Sequence, residues 1–301
     1  MAARMAPRTT SSTNLSRAPA RPLDGKLAIV TGASRGIGAA IAQNLASKGC
    51  ALVLNYTSDK SGEQTERLSQ ELQREFSIVV LVVQADLGAK TGPAHLISTS
   101  KNHFSHPKTS RFQIDIIVNN AGVSNDSRIE DVSIEDFDFQ YRINVLGPLL
   151  LMQAALPYLP TDRSGRIVNL SSVSSSMGFV SQSIYGGTKA ALEAMTRTWS
   201  RELAERCTVN AINPGPVLTD MWAGTSPAFK ESARPYVEIS PLQAVRPGVD
   251  SEELVKDAKI AGGRPAYTGE IAGVVGMLTS VESAWITGQV ICANGGMRMA
   301  I

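Results

Sequence analysis

From Lys26 to Lys48 the chain reads KLAIVT, then GASRGIG, then AAIAQNLASK, and this order constrains the fold more than any other stretch. A short branched apolar run suits a strand buried on both faces, as in a parallel sheet. Ile41 and Leu45 then stand four apart, on one face of a helix. The order is strand, glycine turn, helix. Two uses suit the turn: its glycines supply positive φ, or they let a phosphate approach free N–H groups at the positive end of a helix.

The pattern repeats along the chain. Strands are expected at Ala51–Tyr56, Ile78–Gln84, Ile114–Val118, Gly165–Leu170, Thr208–Asn213 and Gln289–Ala293. Helices are expected at Asp59–Phe76, Ala94–Phe104, Asp136–Leu156, Ile184–Glu205 and Glu270–Leu278, and a polar loop at His103–Arg111. The predicted architecture is α/β, a single Rossmann-type doubly wound domain over residues 23–301 with a mainly parallel sheet of about seven strands. Residues 220–265, rich in proline with a helical patch at Ser251–Ile260, form a candidate substrate lid.

Composition narrows the function classes. A net charge of +2, with 43% hydrophobic and 19% charged residues, describes a globular chain with no dedicated nucleic-acid or membrane surface. Cys50, Cys207 and Cys292 are far apart, so no disulfide is expected and a cytoplasmic location fits. No metal site is predicted, because His95, His103 and His106 fall together in one polar segment without clustered partners. Residues 1–22 carry Arg4, Arg8, Arg17 and Arg21 with no acidic residue and read as a disordered extension. An Arg-rich start also suits a mitochondrial transit peptide, although Pro7, Pro19 and Pro22 interrupt any long helix there.

Polar residues gather where strands end. NAD sites usually place a carboxylate at the end of the second strand; here stands Asn55, followed by Tyr56. A neutral amide does not repel a ribose phosphate, and Arg35, with Ser34 and Ser58, could pair with one, which favours NADP(H). A solvated cation is the other role for Arg35. Asp86, before Leu87, either accepts from an adenine amino group or caps the next helix. Asn144, amid Ile143, Val145, Leu149 and Leu150, bonds locally or marks a bend or bound water.

Tyr185 and Lys189 stand four residues apart, on one face of a predicted helix. On an ordinary surface helix such a pair has no function. In a cleft, the cation would lower the phenol from its usual pKa of about 10 and make Tyr185 a general acid/base, with Ser172 placed to hydrogen-bond the reacting oxygen.

Taken together, Thr31-Gly32-x-x-x-Gly36-x-Gly38, Asp86, Asn119-Asn120-Ala121-Gly122, Asn144, Ser172, Tyr185-x-x-x-Lys189 and Pro214-Gly215 resemble the short-chain dehydrogenase/reductase family over nearly all of residues 24–297. The nearest branch is 3-oxoacyl reductase-like. The resemblance implies NADPH-dependent reduction of a small to medium ketone, such as a 3-oxoacyl or ketide-like group. Tyr185 would give the proton, Ser172 hold the carbonyl oxygen, Lys189 bind the nicotinamide ribose and lower the tyrosine pKa, and Asn144 anchor a proton-relaying water.

The same resemblance assigns Gly32, Ser34, Arg35, Gly36, Ile37 and Gly38 to the phosphates, and Asp86 and Leu87 to adenine. Asn120, Ala121 and Gly122 would meet the adjacent ribose, with Pro214, Gly215, Val217 and Thr219 around the nicotinamide. A homotetramer or homodimer is implied. NAD-linked alcohol oxidation, a non-redox use of the pocket and a non-catalytic NADP sensor are the competing functions. The chain departs from the family pattern at Asn294, where Asp is frequent, and in a long Ala244–Ala261 segment.

Overall fold

The computed structural model describes residues 21–299. Most of the expected N-terminal extension, with its transit-peptide alternative, lies outside the described residues. Arg21, assigned to that extension, bonds Asp24 Oδ1 at 3.0 Å and the Phe76 carbonyl at 2.7 Å, and so adjoins the domain.

In chain order the elements are β1 (Leu27–Val30), α1 (Gly36–Ser47), β2 (Ala51–Tyr56), α2 (Asp59–Phe76), β3 (Val80–Gln84), α3 (Gly92–Phe104), β4 (Ile116–Asn119) and α4 (Ile134–Tyr141). There follow α5 (Gly147–Ala155), β5 (Gly165–Leu170), α6 (Ser174–Met177), α7 (Ser183–Glu202), β6 (Cys207–Ile212) and α8 (Asp220–Ala223). The chain closes with α9 (Pro227–Glu238), α10 (Glu252–Ala261), α11 (Thr268–Leu278) and β7 (Val290–Ile291).

The sheet has seven strands in the order β3-β2-β1-β4-β5-β6-β7, all parallel. Strand alternation divides the core in two. Ala28, Val30, Leu52, Leu54, Ile116 and Val118 meet Ile41 and Leu45 of α1 and Ile271 and Val275 of α11 on one face. Leu27, Ile29, Val53 and Ile117 meet Leu96 of α3, Leu151 of α5 and Trp199 of α7 on the other. The direction of winding reverses between β1 and β4. A crevice at the carboxyl ends of those strands follows, where open α/β sheets bind ligands.

Three expectations change. The helix over 136–156 is broken into α4 and α5 by a π-helical turn at Arg142–Leu146, which contains Asn144; Gly147 and Pro148 follow, and a Cβ on Gly147 would lie 2.9 Å from the Leu87 carbonyl. The lid region is more helical than its prolines suggest. Pro227 occupies the first turn of α9, where its missing N–H costs nothing, and Ser226 accepts from Phe229 N; only Pro235 lies inside. The last strand shrinks to two residues because β7 pairs only with Ala211 and Ile212.

Candidate active site

The glycine turn is built for close approach. Gly36 has φ +58°, and a Cβ on Gly38 would fall 2.2 Å from the Gly32 carbonyl, so a side chain there would displace the backbone. Arg35 precedes α1 without a side-chain cap, and no acidic residue stands in the first turn, which leaves the helix N–H groups to an anion. Thr31 ties this turn to the end of β4: its Oγ1 accepts from Asn120 N and Ala121 N, each at 2.9 Å, while Asn120 Nδ2 donates to the Thr31 carbonyl at 2.8 Å. A Cβ on Gly36 would lie 3.3 Å from Thr219 Cγ2, so the turn after β6 closes the same mouth.

These pieces line one cleft of about 1080 Å³ that joins Arg35, Gly36, Ile37, Gly38, Asn120, Ala121 and Gly122 to Ser172, Tyr185, Lys189, Pro214, Gly215, Val217 and Thr219. The glycine cradle, the uncapped helix and this length of cleft suit a dinucleotide. Arg35 Nε pairs with Asp220 Oδ2 at 3.0 Å, both side chains being exposed.

Other predicted residues lie apart. Asn55 is fully buried: Nδ2 donates to the Tyr56 and Ala85 carbonyls at 3.1 and 3.0 Å, and Oδ1 lies 3.4 Å from Gly32 N. Its polar side-chain atoms serve the backbone beneath the glycine turn. The Leu87 side chain packs in the core with Leu96 and Ile97. Asp86 is exposed and accepts from Gly88 N at 2.9 Å, a bond within the turn that precedes α3, whose N-cap position is Thr91 and not Asp86. Gly32 supports the turn from below, Ser34 and Tyr56 are half-buried, and the exposed Ser58 shares a 3.1 Å hydroxyl contact with Ser61.

Asn144 is buried, with its amide already engaged. Oδ1 accepts from Val123 N at 2.9 Å, and Nδ2 donates to the Val123 carbonyl at 2.8 Å and to Thr188 Oγ1 at 3.1 Å. The side chain therefore fastens the chain after β4 to α7, from within the π turn that bends the helix.

The proton-handling groups sit on α7. Lys189 Nζ donates to the Leu170 carbonyl at 2.8 Å and lies 5.5 Å from the Tyr185 ring centroid. A Cβ on Gly122 would stand 3.3 Å from both Lys189 Nζ and Asn144 Oδ1, so all three meet at one point. Burial pushes the Tyr185 phenol up to about 12; the Ser172 hydroxyl opposes this and the Asp126 charge adds to it. Burial also pushes Lys189 down to about 8. Burial thus acts on Tyr185 against the lowering expected from Lys189. A neutral phenol at neutral pH is a proton donor, which suits the reducing direction.

A cluster that sequence reasoning missed braces Ser172. Glu193, buried on α7, accepts from Ser171 Oγ and Ser175 Oγ, each at 2.7 Å, and these two residues flank the Ser172 turn. Its signal was a carboxylate four residues past Lys189, on the buried face of the helix. Ser172 itself bonds Ser174 Oγ at 3.1 Å. Among the described residues no group of His, Cys, Asp and Glu could hold a metal, and no helix is long and apolar enough to cross a membrane.

A family model described as short chain dehydrogenase matches residues 26–229. The chain is 52% identical over 297 residues to an L-xylulose reductase of Aspergillus niger, covering 92% of this chain and 99% of that one. It is 49% identical over 303 residues to an L-xylo-3-hexulose reductase of Hypocrea jecorina, covering 94% and 99%. Among solved structures it is similar to the angucycline C-6 ketoreductase LanV with bound NADP, with a TM-score of 0.77 and 30% identity over 92% of this chain and 97% of that one.

Proposed function

The chain belongs to the short-chain dehydrogenase family, and from that membership we propose that it reduces a ketone to a secondary alcohol with NADPH as coenzyme. The observation that carries this reading is the single cleft that places Ser172, Tyr185 and Lys189 opposite the glycine turn.

Gly36, Ile37 and Gly38 would receive the pyrophosphate at the start of α1, and Arg35 the ribose phosphate. Asn120, Ala121 and Gly122 would border the adenosine ribose, and Pro214, Gly215, Val217 and Thr219 the nicotinamide. Bound NADPH supplies a hydride to the carbonyl carbon. Ser172 donates a hydrogen bond to the carbonyl oxygen, and Tyr185 delivers the proton that completes the alcohol. The charge of Lys189, fixed on the Leu170 carbonyl, stabilises the phenolate left behind.

The two sugar-ketone reductases at about half identity favour a polyhydroxylated ketone over a 3-oxoacyl thioester. A homodimer or homotetramer belongs to the same reading, supported by the exposed apolar side chains of Met277 in α11 and of Val281 and Trp285 after it, the last 99% exposed. Three free cysteines accord with a cytoplasmic location.

The test follows NADPH and NADH oxidation by the purified protein across ketoses, apolar diketones, quinones and 3-oxoacyl thioesters. Stoichiometric NADPH loss and alcohol formation are expected. No coenzyme oxidation with any of these carbonyls would refute the reading.

A further inference from the structure

Two loops form the rim of the cleft beside Tyr185. The segment after β4 and the one leading into α7 are joined by a bridge between Ser127 and Gln182, with Ser127 N donating to the Ser181 carbonyl at 2.9 Å. Across that seam Gln182 Nε2 donates to Asp126 Oδ1 at 3.1 Å, and both side chains line the cleft.

Two features exceed what a loop staple needs. Among the described residues no Lys or Arg forms an ion pair with Asp126. Among the described residues Gln182 is the one side chain that bonds this carboxylate, and it does so at Oδ1, which leaves Oδ2 to accept from a ligand. Asp126 and Gln182 line the same cleft as Ser172 and Tyr185.

We propose that Asp126, held in place by Gln182, reads the substrate, accepting a hydrogen bond from a hydroxyl of a neutral polyhydroxylated ketone and turning away ketones that carry a phosphate or carboxylate. This rests on the ketone-reductase reading above. The rim offers acceptors where a sugar offers donors, whereas a phosphate brings only further acceptors and negative charge. Arg35, the cation at the mouth of the cleft, does not offset it, because it is paired with Asp220. Phe179 and Phe229, with centroids 5.9 Å apart, give the C–H faces of such a substrate an apolar wall.

The experiment measures NADPH-dependent kcat/KM for L-xylulose, L-xylulose 5-phosphate and butane-2,3-dione in the wild type, Asp126→Asn and Asp126→Ala. The wild type should prefer the free sugar to its phosphate by about tenfold or more, and Asp126→Asn should narrow that ratio because the charge is gone. Asp126→Ala should lower the ratio of L-xylulose to butane-2,3-dione by about tenfold, mainly through KM for the sugar. NADPH binding by fluorescence verifies that each variant is folded. Ratios within about twofold of wild type in both variants would overturn the role of Asp126 while leaving the reductase reading intact. Turnover of none of the three by the wild type would overturn both.

Discussion

Arg35 Nε sits 3.0 Å from Asp220 Oδ2, so the one guanidinium of the glycine turn is already paired across the mouth of the cleft. Both side chains are exposed, and a pair of that kind contributes under about 1 kcal/mol. A ribose phosphate, doubly charged and bidentate, should displace the carboxylate. Asp220→Asn should therefore lower the NADPH KM by no more than about fivefold, and Arg35→Ala should reduce the NADPH-to-NADH preference by about tenfold to a hundredfold. Parallel titrations of both coenzymes check this; equal effects on the two would show that Arg35 does not read the phosphate.

Replacing Tyr185 with Phe removes the phenolic proton and little packing. kcat should fall by about 10²–10⁴ while NADPH affinity stays within about twofold, because the deleted interaction forms in the transition state. Undiminished carbonyl reduction by Tyr185→Phe would rule out its role as the acid.

The pH dependence has a defined sign. With Tyr185 pushed up to about 12 and Lys189 down to about 8, the phenol keeps its proton through the neutral range while the ammonium is lost above about pH 8. Reduction should hold steady below that point and decline as pH rises through it. Lys189→Arg, if it still turns over, should lack the decline, since a guanidinium does not titrate there. The same burial makes Lys189 a stability cost below about pH 8; its contribution to stability improves from there toward 10.5, as the folded state sheds a proton that the unfolded chain keeps. A decline in rate unaltered by Lys189→Arg would assign the titration elsewhere.

Glu193 acts through the serines beside Ser172, and burial is the only cause moving the Lys189 pKa. Glu193→Ala should reduce kcat by about tenfold with little change in NADPH KM, and Glu193→Gln, which keeps an acceptor, should restore most of it. In a Ser172→Ala background the Glu193→Ala loss should shrink toward nothing. An equal loss in both backgrounds would mean that Glu193 serves the fold alone.

The wound sheet was legible because a buried strand must be apolar along its whole length, and KLAIVT, ALVLNY and GRIVNL carry that requirement openly. The glycine turn, Ser172 and the Tyr185–Lys189 pair were legible because contact with phosphate or a reacting oxygen admits few residue types. The π turn at Asn144 was visible only as a polar residue in an apolar helix, and α9 was obscured by Pro235, since local propensity does not register the tertiary contacts that hold a helix around a proline.

The sequence by itself determined the order of the strands and the candidates for the coenzyme cradle and for proton transfer, all of which rest on residue type and spacing. Only the tertiary structure decided that Asn55 and Leu87 face inward, that Glu193 braces the Ser172 turn, and that Asp126 and Gln182 meet at the rim. It also decided that Tyr185 is desolvated, which raises its pKa. Side-chain direction, desolvation and contacts between distant loops depend on how elements pack in space, and spacing along the chain does not encode them locally.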